Sequence, residues 1–96
     1  MSIIKIDTAL LKPVVPQSVS RAQGKAALIL AGKFDAVIQY VGSIPNASDK
    51  ELAQVALNDT TEWSRESAFL NNAARAIGLT DQDLDDLFIS ASKINL

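Results

Sequence analysis

Neither cysteine nor histidine occurs anywhere in the 96-residue chain. Disulfides and thiol nucleophiles are therefore excluded, the commonest general base and the commonest metal ligands are missing, and the fold must hold by packing alone. A chain of this length can bury about two-thirds of the surface it exposes when unfolded, which is enough for one core. Fourteen residues are alanine within a hydrophobic fraction of 48%, a composition that favours closely packed helices over sheets. The expected fold class is all-α.

Proline sets the first boundary. Ile3, Ile4, Ile6, Leu10, Leu11, Val14 and Val15 are interrupted by Pro13 and Pro16, so neither helical spacing nor clean alternation persists. Proline fixes its own φ and drives the preceding residue to extended backbone. Residues 1–17 are expected to form an extended, Pro-interrupted arm, and residues 18–96 a compact bundle of about five short helices. An arm this apolar needs a surface to lie on, either its own helices or a neighbouring subunit. Its seven aliphatic residues are the first candidate partner-binding set.

From Ser20 the period changes to about 3.6. Ser20 and Gln23 have capping-box spacing, opening a helix over about 20–31 whose stripe is Ala22, Ala26, Ile29 and Leu30, widened by Ala27 and Leu28. Gly32 ends it. A second helix over about 33–42 presents Phe34, Val37, Ile38 and Val41, and is stopped by Gly42, Pro45 and Asn46. Ser48 and Glu51 repeat the capping spacing and open a third helix with Leu52, Val55, Ala56 and Trp63 on one face. That helix is expected to reach about Ser64, unless the poor helix formers from Asn58 to Thr61 end it early. Ser67 caps a fourth helix with Phe69, Leu70, Ala73, Ala74 and Ile77, closed by Gly78. Thr80 caps a fifth with Leu84, Leu87, Phe88, Ala91 and Ile94. Gly24 inside the first helix costs about 1 kcal/mol relative to alanine, which implies a close approach by another helix rather than a cofactor site.

The formal net charge of -2 conceals a division. Residues 1–48 carry five bases and two acids, a net +3, and the remainder four bases and nine acids, a net -5. Such asymmetry can guide docking. Asp81, Asp83, Asp85 and Asp86 form the densest acidic cluster and the second candidate partner-binding set. A calcium loop would need glycine at Asp86 and a bidentate glutamate at Ser92, so the match fails at both positions. Carboxylates in a first helical turn answer the helix dipole instead. The longest apolar run, Ala26 to Ala31, is far short of the roughly 20 residues that span a bilayer. Lys5 interrupts the only apolar start, so no secretory signal is read and a cytoplasmic product without membrane contact is expected.

Catalytic signatures fail in turn. Ser90 and Lys93 match a Ser-x-x-Lys spacing but lack its companion motifs, no glycine loop precedes a lysine as phosphate binding would require, and Glu62 and Glu66 share an exposed face without a pocket. The expectation is a non-enzymatic protein without cofactor or metal. Gly78, Leu79 and Thr80 between two amphipathic helices suggest a helix-turn-helix. Its groove-entering residues would be Asp81, Gln82, Asp83, Asp85 and Asp86, and carboxylates repel phosphates. Nucleic acid is therefore not the expected partner.

The string Ala26-Ala27-Leu28, Ala31-Gly32 and Asp35-Ala36-Val37, followed by Glu62-Trp63, Arg65, Ile77-Gly78-Leu79-Thr80, Leu84 and Leu87-Phe88, resembles small helical proteins encoded by tailed phages and prophages near genes for tail and tail-fibre components. The resemblance runs over roughly residues 1–95. In this chain the aromatic usual soon after Trp63 is deferred to Phe69, and the proline common near Ala68 is absent. It implies a tail or tail-fibre accessory, or an assembly chaperone, whose partner is a tail or fibre protein, located in the cytoplasm of a bacterial host or in the virion, while the apolar arm offers a route to self-association. The residues alone leave two other readings open: a regulatory or inhibitory protein docking a basic host surface through its acidic half, and a helix-turn-helix DNA-binding protein.

Overall fold

The computed structural model describes residues 14–95. The arm residues Ile3, Ile4, Ile6, Leu10 and Leu11 lie outside that range. The described chain is mostly helical, in the order β1 (Ser18–Ser20), α1 (Arg21–Leu30), α2 (Phe34–Gly42), α3 (Ala47–Asn58), β2 (Glu62–Ser64), α4 (Ala68–Ala76) and α5 (Asp81–Ser92).

Helix boundaries follow local chemistry. Ser20 Oγ accepts from the Gln23 backbone N–H at 3.0 Å and Gln23 Oε1 accepts from the Ser20 N–H at 3.0 Å, completing the capping box of α1. Thr80 and Asp83 make the same reciprocal pair at α5, and Ser67 Oγ caps α4 through the Leu70 N–H. Gly32 and Gly78 adopt φ of 72° and 87°. Each lets the next N–H turn back to a carbonyl five residues earlier, Lys33 to Leu28 and Leu79 to Ala74, which satisfies carbonyls that the helix end would otherwise orphan.

Five features differ from the sequence expectation. A two-stranded antiparallel sheet joins β1 to β2, with Val19 opposite Trp63, where only helices were expected. Trp63 is accordingly not on α3. The helix ends at Asn58, the Thr60 hydroxyl returns to the Ala56 carbonyl, and bonds from Arg21 N–H to Thr61 O and from Arg65 N–H to Gln17 O extend the pairing on either side. The cap of α3 is Asn46, whose Oδ1 accepts from the Asp49 N–H at 2.9 Å, not Ser48, which lies within the helix. The phase of α3 also differs, because the expected stripe was drawn through a tryptophan that the helix does not carry. Ala53 and Leu57 are its buried residues, while Leu52 and Val55 are exposed. On α1 the buried set is Gly24, Ala27 and Leu28, and Ala22, Ile29 and Leu30 face outward.

The cap assignment predicts a contrast. Asn46→Ala should lower stability by about 1 kcal/mol in urea denaturation, and Ser48→Ala should change it by less than about 0.5 kcal/mol.

One core joins all seven elements. It contains Val19, Leu28, Val37, Val41, Leu57, Trp63, Leu70, Leu84 and Phe88, together with Ala27, Ala53, Ala74 and Ala91. Helix α1 is central, packing most extensively on α5 and also touching α2 and both strands. Trp63 is 4% exposed and its ring lies directly on Gly24, where a Cβ would come within 2.6 Å of Cζ3. The close approach at Gly24 is made not by a helix, as expected, but by Trp63 of β2, whose indole N–H donates to the Ala56 carbonyl at 3.0 Å.

Candidate functional site

The arm's last residues diverge. Val14 is 88% exposed, whereas Val15 packs against the core. The chain beyond them is pinned by the bond from Arg65 N–H to Gln17 O, so the segment after Val15 is held against the end of β2.

The four acidic candidates do not form one free patch. Asp81 and Asp83 occupy the first turn of α5, where carboxylates answer the positive end of the helix dipole. Asp83 Oδ2 accepts from the Thr80 N–H at 2.9 Å. Asp85 Oδ1 accepts from Arg65 Nε at 2.7 Å, with the arginine side chain only 15% exposed. Asp86 accepts from Gln82 at 3.0 Å. Arg65 also donates to Asn71 Oδ1 and to the Asp81 carbonyl, while Asn71 Nδ2 donates back to the carbonyls of Arg65 and Ser67. This network fastens the connection between β2 and α4 to the start of α5. It borders a polar recess of about 360 Å³ that also takes in Val15, Glu66 and Arg75. Among the described residues, no group of three or more Asp or Glu is placed to hold a metal ion.

Hydrogen bonds from the Thr80 backbone and side chain, with Lys33 adding to them, hold the Asp83 carboxyl below the ordinary aspartate value of 3.8. A carboxylate with a depressed folded-state pKa contributes stability that is present above its unfolded value and is lost as pH falls through the folded one. Thermal stability should therefore decline less steeply below about pH 4 in Asp83→Asn than in the parent chain. Identical acid limbs in the two melting series would remove Asp83 from that role.

The larger surface features are apolar. Leu30 is 79% exposed, Leu52 67%, Ile29 58%, Val55 47% and Ile38 44%. Lys25 donates to Asn58 Oδ1 at 2.9 Å, and the Arg21 guanidinium reaches the Asn58 carbonyl. Ile29 lies one turn beyond Lys25, and Val55 one turn before Asn58. Both therefore share a helix face with the bridge from α1 to Asn58. A groove of about 470 Å³ opens between α2, α3 and α4, with Tyr40, Ile44, Leu52 and Phe69 as apolar walls and Asp49 and Asn72 at its rim. Helical spacing assigns Ile29, Ile38, Leu52 and Val55 to the core and so does not mark them as surface. Arg65 has no structural task legible from spacing, since an arginine in a loop carries no periodic signal. No helix among the described residues is long and apolar enough to cross a membrane.

No protein-family model, curated protein or solved structure matches the chain.

Proposed function

We propose that this chain is a phage-type accessory or assembly protein that works by holding a tail or tail-fibre protein against an exposed aliphatic surface, without catalysis. The observation that carries the reading is the pair Ile29 and Leu30, 58% and 79% exposed, at the end of a helix whose other side builds the core. Isolated surface aliphatics are ordinary, but neighbouring ones mark contact surfaces. Val55 adds to this side of the domain. The sequence resemblance supplies the tail and fibre context.

The acidic docking alternative is less well supported, because Asp83 and Asp85 already have partners within the fold. Helix-turn-helix DNA binding has the same acidic residues at the start of α5 against it.

Co-expression with the tail-fibre protein of the phage or prophage that carries the gene tests the proposal. The full chain should co-elute with that protein on size exclusion. A chain carrying both Ile29→Lys and Leu30→Lys should elute alone while keeping its far-ultraviolet helical spectrum. Separate elution of the parent chain would refute the proposal.

A further inference from the structure

We infer that α3 carries the interface for a second copy of this chain, the two α3 helices packing antiparallel about a two-fold axis between Leu52 and Val55. The tail-fibre reading is carried by Ile29 and Leu30 on α1 and shares only Val55 with this surface. The test below uses the chain alone, so its outcome is independent of that reading.

The first argument is apolar exposure. Residues three apart on a helix are neighbours, so Asp49, Leu52, Val55 and Asn58 form one continuous ridge along α3. All four are exposed, and the aliphatic pair occupies the middle. The core takes Ala53 and Leu57 from this helix instead. Beside Leu52 opens the groove walled by Tyr40, Ile44 and Phe69, so the ridge has a depression next to it, as packing against the ridge of another helix requires.

The second argument is charge complementarity. One end of the ridge is the Asp49 carboxylate. At the other end α1 delivers two cations, Lys25 donating to Asn58 Oδ1 at 2.9 Å and the Arg21 guanidinium reaching the Asn58 carbonyl. The ridge therefore runs negative, apolar, apolar, positive. Antiparallel pairing sets Leu52 against the partner's Val55, and Asp49 against the partner's Asn58 with its two cations. Each contact then occurs twice, as a two-fold interface demands. Parallel pairing in register would bring Asp49 onto Asp49 and cations onto cations, so charge selects the antiparallel arrangement. Asp59, one turn beyond Val55, falls opposite the partner's Ser48, a hydroxyl donor. A single helix ridge covers less than the roughly 800 Å² per partner of a stable complex, so the dimer is weak and reversible.

Sedimentation velocity of the full chain between about 5 µM and about 500 µM should show a reversible monomer-dimer equilibrium. Asp49→Lys and Lys25→Glu, both outside the core, should each weaken the dimer by about tenfold, because two-fold symmetry repeats every like-charge contact. Mixed in equal amounts, the two variants should dimerise as the parent does. The lysine introduced in one then meets the glutamate introduced in the other, and the native Lys25 of the first meets the native Asp49 of the second. Leu52→Lys should leave the chain monomeric with its far-ultraviolet helical spectrum unchanged, since Leu52 is exposed. A parent chain that stays monomeric at the highest concentration, a dimer untouched by Leu52→Lys, or a mixture no tighter than its components would each overturn the inference.

Discussion

Trp63→Ala should destabilise the fold by about 4 kcal/mol, within the range for deleting a buried aromatic ring. Trp63 is 4% exposed, closes β2 against β1 opposite Val19, and bonds α3 through the Ala56 carbonyl. Its removal leaves a void beside Gly24 that no backbone shift can fill without parting the strands. A domain of this length has a total stability of about 5–14 kcal/mol, so the variant should show a much lower urea midpoint with an unchanged m-value. Trp63→Phe should recover most of the packing and lose the indole hydrogen bond, giving a loss of about 1–2 kcal/mol. A loss below about 1 kcal/mol for the alanine variant would mean that the ring is not part of the core.

Gly24→Ala should also destabilise, by about 2–3 kcal/mol, although in an open helical position the same change would stabilise by about 1 kcal/mol. The sign is what matters. An added Cβ would stand 2.6 Å from Cζ3 and 3.0 Å from Cδ2 of Trp63, and the indole cannot swing aside without breaking its bond to Ala56. The two sites are therefore coupled. In a chain that already carries Trp63→Ala, Gly24→Ala should be neutral or stabilising, so a double-mutant cycle should return an interaction energy of about 2 kcal/mol or more. Additive effects would place the ring away from α1.

These residues also show what a linear reading can and cannot recover. The glycine inside α1 signalled a close contact because its cost in a helix demands a reason, but nothing local named Trp63 as the neighbour. The pairing of Val19 with Trp63 joins two three-residue strands far apart in sequence, too short to carry an alternation signal. Treating Trp63 as helical then rotated the expected face of α3 and placed Leu52 and Val55 inside. The caps at Ser20, Ser67 and Thr80 and the turns at Gly32 and Gly78 were legible because each depends on residues within a few positions. Asn46 was read as a helix stop for α2, and its side chain caps α3 as well. Of the candidate surfaces, the acidic run was visible as a cluster but not as divided between a cap, Arg65 and Gln82. That division needs the fold, which brings Arg65 across twenty residues to Asp85.

With Asp83, Asp85 and Asp86 engaged within the fold and Ile29 and Leu30 exposed, the proposed partner binding should depend on apolar contact rather than on charge. Titration calorimetry of the full chain against the tail-fibre protein, at low salt and at about 1 M salt where the Debye length shrinks to about 3 Å, separates the two. Apolar docking predicts an affinity that changes by less than about threefold between the two conditions, together with a negative heat-capacity change. A loss of about a hundredfold or more in high salt would contradict it and assign recognition to the acidic start of α5.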